Sequence, residues 1–143
     1  MSDRVFLDTN IFVYAIGGPS DTRSAIADRL IASGLGMQNA VVSYQVVQEF
    51  LNVALTKFAK PMSSEQAARC IATVFRGLHM IPSSLGLFSD AMGVRDRYRI
   101  SWYDSLIVAA AAMAGCNKLL TEDLQDGATL AGVRIENPFR AES

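Results

Sequence analysis

The chain has 143 residues, half of them apolar and 19% charged, a globular composition long enough to bury a sizeable core as one domain without disulfides or a structural metal. Thirteen Lys and Arg against 14 Asp and Glu give a formal charge of −1, so overall basicity announces no nucleic-acid partner and the distribution of charge has to decide. The longest apolar run, about eleven residues from Leu106, falls short of the ~20 that span a bilayer, and the apolar run at residues 5–7 is too short for a secretory leader; a cytoplasmic protein without a membrane partner is expected.

In chain order, residues 5–7 are a β-branched and aromatic run ending at Asp8, and residues 11–16 read as a short helix stopped by Gly17-Gly18-Pro19. Ser20 or Asp21 can cap a second helix over 22–36. Residues 40–43 read as a buried strand, after which Ser43 caps a helix over 44–58 with Val46, Val47, Phe50, Leu51, Ala54, Leu55 and Phe58 on one broad stripe. Ser63 and Gln66 have capping-box spacing ahead of a helix over 67–78, and Pro82 closes a short strand at 79–81. Residues 84–99 form a weaker, polar-backed helix.

After Ser101 comes a helix with no charged or strongly polar side chain from Leu106 to Cys116, apolar all round and therefore buried. A strand at 118–121, a turn at Asp126-Gly127 and a last strand at 133–137, stopped by Pro138, complete the chain. Short apolar strands alternating with helices argue for an α/β fold, a three-layer α/β/α sandwich around a central parallel sheet. Cys70 and Cys116 lie in apolar helical patterns without CxxC or Cys/His spacing and read as small core residues of a reducing compartment.

Open parallel sheets bind ligands beyond the carboxyl ends of their strands. Asp8, Ser43 and the group Thr121, Glu122, Asp123 follow three such strand ends. Crossover helices start at the same edge, so Glu49 and Asp104 project toward it too, and four acidic side chains, Asp8, Glu49, Asp104 and Asp123, converge from distant parts of the chain. Carboxylates this close repel unless cations sit between them. Mg²⁺ or Mn²⁺ suits such oxygen ligands, and two such ions can activate water and stabilise an in-line displacement at phosphorus; the predicted chemistry is phosphodiester hydrolysis.

Each residue also has a plainer role open to it. Asp104 stands in a capping box with Ser101 and can bond its amide. Asp8 can cap the helix at 11–16, Glu49 borders a polar helix face of Gln45, Gln48, Asn52 and Thr56, and Asp123 is an ordinary loop residue. Independent caps, however, have no reason to collect at one edge.

The only histidine, His79, has no nucleophile or carboxylate at meaningful spacing, so His-based triads and His-pair ribonuclease chemistry are disfavoured. No glycine-rich phosphate loop is present. Arg95, Arg97 and Arg99 interleave with Tyr98 and Trp102 just before Asp104, which reads either as a solvated helix end or as a phosphate-tracking surface with rings for stacking on unpaired bases.

Together "FLDTNIFVYA", "SYQVVQEF", "WYDSLIVAAAAMAGCNKLLTEDLQDG" and the closing "NPF" resemble a PIN domain, and closely the VapC toxins of bacterial toxin–antitoxin pairs, over about residues 4–139. The resemblance implies a compact α/β/α fold, Mg²⁺- or Mn²⁺-dependent endoribonuclease activity, and a homodimer held with a small antitoxin that blocks the site. It carries the acidic quartet onto Asp8, Glu49, Asp104 and Asp123. Thr9 or Asn10, Ser43 and Thr121 match positions that orient carboxylates or water. The family's fourth acidic position is its most variable; here Glu122, Asp123 and Asp126 compete, with Asp123 preferred and Asp126 next. A non-catalytic PIN-like module that binds RNA or protein is the alternative, and a phosphatase or phospho-receiver of similar topology fits less well, because Asn10 stands where the phosphatase pattern wants a second aspartate.

Overall fold

The computed structural model describes residues 3–140. The first strand, β1 (Val5–Leu7), passes through Asp8 into one helical turn, α1 (Thr9–Phe12), which widens into a π-helical turn at Val13–Gly17. Asp21 and Ser24 cap α2 (Thr22–Met37) reciprocally. The second strand, β2 (Ala40–Ser43), leads into α3 (Tyr44–Thr56), whose first turn is closed by the Val46 N–H donating to Ser43 Oγ. The expected Ser63–Gln66 capping box opens α4 (Ser64–Thr73). There follow β3 (His79–Ile81), α5 (Leu85–Tyr98), α6 (Trp102–Met113), β4 (Lys118–Leu120), β5 (Thr129–Leu130) and β6 (Val133–Glu136).

The strands form one six-stranded sheet in the order β3-β2-β1-β4-β6-β5. All neighbours are parallel except β5 with β6. From β1 the chain moves outward through β2 to β3 and then returns to β4 on the other side of β1, so right-handed crossovers place α1–α4 on one face and α5–α6 on the other. The α/β/α sandwich is as expected. The reversal puts the topological switch point between β1 and β4, the crevice where such sheets bind ligands, and Asp8 and Thr121 are the first residues beyond these two strands.

Three local features depart from the sequence reading. The edge is an antiparallel hairpin rather than a lone parallel strand: Ala131 and Gly132, both at positive φ (51° and 80°), make the two-residue turn whose twist suits a hairpin. The expected helix over 67–78 stops at Thr73, and Phe75–Gly77 is a single 3₁₀ turn that tucks Phe75 into the core. The expected helix over 44–58 ends at Thr56, with Lys57 as its C-cap.

Between the sheet and α1–α4, Phe12, Phe50 and Phe75 are wholly buried, with Phe12–Phe75 and Phe50–Phe75 centroids 4.8 and 5.4 Å apart. Each contributes roughly 1.5–3 kcal/mol by burial, and two of them anchor α1 and α3, whose starts carry Asp8 and Glu49. On the other face α6 is buried all round from Ser105 to Ala111, between the sheet and α5; its small alanines allow that close approach. Among the described residues no helix is long and apolar enough to cross a membrane.

Candidate active site

Asp8 lies at the bottom of the switch-point crevice, only 5% exposed. One carboxylate oxygen accepts from the Thr9 N–H (2.7 Å), so the helix-capping role is real, and the other accepts from Thr121 Oγ1 (2.7 Å). Burial raises its pKa to about 6 against these two bonds, and the charges of Asp123 and Glu49 push the same way. A carboxylate kept dry and surrounded by like charge is in the state that a nearby cation would relieve.

Glu49 comes from the second turn of α3. Its two oxygens accept from Thr9 Oγ1 (3.3 Å) and from Gln45 Nε2 (2.6 Å), and Gln45 also donates to the Tyr103 carbonyl (3.3 Å). The glutamate is exposed but tethered, so it is not a freely solvated surface residue. Asp104 sits in the first turn of α6. Its N–H donates to Ser101 Oγ (3.1 Å), yet its carboxylate does not return a bond to the Ser101 amide, so the capping box is half made and the carboxylate is left to face Asp123.

After β4 the three competing acids separate. Asp123 accepts from Asn10 Nδ2 (3.2 Å), and its own N–H donates to Thr121 Oγ1 (3.1 Å). Partial burial of its carboxylate, then the charges of Asp104 and Glu122, raise its pKa. Glu122 instead accepts from the Tyr14 hydroxyl (2.5 Å). Asp126 accepts from the Asn137 N–H and the Arg140 guanidinium (both 2.9 Å), which hold its carboxyl below the usual range. Geometry therefore brings Asp8, Glu49, Asp104 and Asp123 together and turns Glu122 and Asp126 to structural partners.

Among the described residues no three acidic, imidazole or thiol groups lie close enough to cage an ion unaided. Mg²⁺ does not require such a cage: it usually takes one or two carboxylates and keeps several waters for substrate phosphate to replace. Asn10 Oδ1 adds an observation in favour: it is buried without a hydrogen-bond partner, an oxygen donor beside Asp123 that costs free energy until something cationic or protic meets it. The donor set therefore fits a hard divalent ion.

Residues 5–125 match the PIN domain family. The chain belongs to that family. Its fold is similar to that of a toxin–antitoxin complex from Klebsiella pneumoniae, at 18% identity and TM-score 0.72 over 96% of this chain and 99% of the other. It is also similar to VapC20 of Mycobacterium tuberculosis, described as a sarcin–ricin loop cleaving toxin, at 21% identity and TM-score 0.62 over 83% and 91% of the two chains. A third likeness is to VapBC2 of Rickettsia felis bound to a promoter DNA fragment, at 20% identity and TM-score 0.67 over 93% and 97%. No curated protein matches the chain by sequence.

In this PIN domain the remaining expected residues fall in three groups. Thr9, Asn10 and Thr121 each bond a carboxylate of the quartet. Ser43 is buried at the end of β2 and spends its hydroxyl on capping α3. Arg95 pairs with Asp96 (3.5 Å), Arg97 lies 5.2 Å from the Tyr98 ring centre, and Arg99 is the left-handed C-cap of α5; none bonds to the quartet among the described residues. His79 binds the Gln38 carbonyl (2.9 Å) at the opposite edge of the sheet. Two residues were missed: Gln45, whose i,i+4 spacing to Glu49 was a usable signal, and Tyr14, whose partner lies 108 residues away and left none.

Proposed function

We propose that this PIN domain is an Mg²⁺- or Mn²⁺-dependent endoribonuclease and the toxin of a toxin–antitoxin pair. The observation that carries the reading is the linking of Asp8, Glu49 and Asp123 through Thr9, Asn10 and Thr121 at the switch point, with the Asp104 charge acting on Asp123 and the Asn10 oxygen unpartnered among the described residues. Asp8 and Asp104 are the principal metal ligands, with Glu49 and Asp123 completing the shell or holding its waters. A bound divalent ion supplies a Lewis acid at the scissile phosphate and an activated water. The chain's own groups do the positioning: Thr121 fixes the Asp8 carboxylate, Thr9 and Gln45 fix Glu49, and Asn10 fixes Asp123. Held so, the carboxylates need no reorganisation as charge develops on the phosphate.

RNA as substrate, a small antitoxin protein that covers the site, a homodimer and a cytoplasmic setting belong to the same reading. It is supported by the fold's similarity to the Klebsiella complex and to VapC20. The test is purified protein with total cellular RNA in Mg²⁺ or Mn²⁺, in EDTA, and with Asp8→Asn. Discrete fragments that require both the ion and Asp8 are expected. RNA bound but intact in every lane would point instead to a non-catalytic binding module.

A further inference from the structure

Beside the carboxylates, across Gln45, lies a pocket of about 290 Å³ between the starts of α3, α5 and α6. Its apolar part is Leu87, Leu106 and Phe88, its aromatic walls are Trp102 and Tyr103, and Ser83, Gln45 and Gln48 bring hydroxyl and amide groups to it. The nuclease mechanism uses none of these except Gln45. Tyr103 is 66% exposed, so this wall of the pocket is open to solvent. Trp102 is half-buried, with its ring centre 6.3 Å from that of Phe88.

We infer that this pocket receives one unpaired nucleobase of the RNA, next to the phosphate that is cut. The inference rests on the nuclease reading above for its orientation, and on the pocket's own chemistry for its occupant. Single-stranded RNA is read by stacking splayed bases on aromatic rings and bonding their edges, and this lining offers both kinds of group within one small volume. A volume near the lower end for small-molecule sites admits one planar ring system but not a helix laid along the surface. Continuity with the cleavage site is physical: Gln45 is a wall of the pocket and at the same time donates to Glu49 (2.6 Å) and to the carbonyl of Tyr103 (3.3 Å). With Gln45 so committed, Gln48 is the amide left to present a donor and an acceptor to a base edge. It is the residue that sets which base is preferred.

Trp102 is the only tryptophan, so its indole N–H resonance is a single reporter on the pocket. Uncharged nucleosides, titrated in EDTA, test the pocket without metal, phosphate or cleavage. A saturable shift of the indole signal is expected with all four, tighter for one or two of them, and Gln48→Ala should reduce that discrimination by about tenfold, the size of one lost base-edge contact. In a cleavage map of randomised single-stranded RNA, Gln48→Ala should flatten the base preference at one position beside the cut. No saturable shift with any nucleoside overturns the proposal, as does a shift produced only by an amino-acid amide such as N-acetyltyrosinamide, which would assign the pocket to a protein partner. Nucleoside binding in a protein that leaves every RNA intact would retain the pocket and sink the nuclease reading, so the two fail separately.

Discussion

Asp8 and Asp126 are both aspartates just beyond strand or loop ends of the same sheet, and the fold treats them oppositely. Asp8 is buried, lies near Asp123 and Glu49, and its carboxyl is raised to about 6. Asp126 receives the Asn137 N–H and the Arg140 guanidinium, and its carboxyl is lowered. One carboxylate is held at a cost and the other is used as a clamp. Under the nuclease reading the difference is that between a carboxylate awaiting a cation and one that holds the chain, since groups whose charge is disfavoured cluster at functional sites.

Asp8→Asn should widen that contrast most. Cleavage should fall by at least about a thousandfold, equivalent to ~4 kcal/mol of transition-state stabilisation, in an RNA-cleavage assay with Mn²⁺. The same change should stabilise the metal-free fold. A carboxyl raised from 3.8 to about 6 in the folded state binds protons more tightly there than in the unfolded chain, so stability is full below pH 4, falls between about pH 4 and pH 6, and stays lower at pH 7 by on the order of 2–3 kcal/mol. Removing the charge removes that loss, and thermal melts at pH 7 should rise by several degrees while melts at pH 4 coincide with wild type.

Saturating Mg²⁺ or Mn²⁺ should raise the wild-type melting temperature at pH 7, since an ion that binds only the folded state stabilises it by mass action. Asp8→Asn and Asp104→Asn should lose most of that response, and an undiminished response in both would remove these residues from the metal shell. Asp126→Asn should behave in the reverse sense to Asp8→Asn. Its lowered carboxyl contributes stability that is present above the unfolded value and lost as pH falls through the folded one, so the variant should melt earlier than wild type at pH 7 and alike at pH 2, with its metal response intact. The smallest effect is expected from Tyr14→Phe: freed from its hydroxyl partner, Glu122 can turn toward Asp123, and the metal concentration for half-maximal stabilisation should shift by a few-fold.

Much of this site was legible because the relevant geometry is set by the backbone. A residue directly after a parallel strand, or in the opening turns of the helix that follows, points to one edge whatever its side chain, so Asp8, Glu49 and Asp104 could be brought together from spacing alone. What stayed hidden depends on partners distant in the chain. Nothing local to Glu122, Asp123 or Asp126 says that Tyr14 and Arg140 will take the first and last and leave the middle one. The β5–β6 hairpin was missed because Ala131 occupies a left-handed position that the usual Asn or Asp would have signalled, and the Tyr98 hydroxyl, accepting from the Ala131 N–H at 2.8 Å, is tertiary support that no short window contains. The break at Val74 likewise follows from burying Phe75, which a regular helix through 78 would have turned elsewhere.

The helix that presents Asp104 is the most enclosed in the molecule, with its seven residues from Ser105 to Ala111 all buried. Amides in such a position exchange with solvent only when the whole fold opens, whereas loops and helix ends exchange through local fraying. Asp104 is thus fastened to a fully enclosed helix, whereas Asp123 stands in an exposed loop. Heat should therefore not strip the site away in stages from the Asp104 side: loss of that carboxylate's position and loss of the fold are a single event, and the last protected amides in a hydrogen-exchange series should be those of this helix.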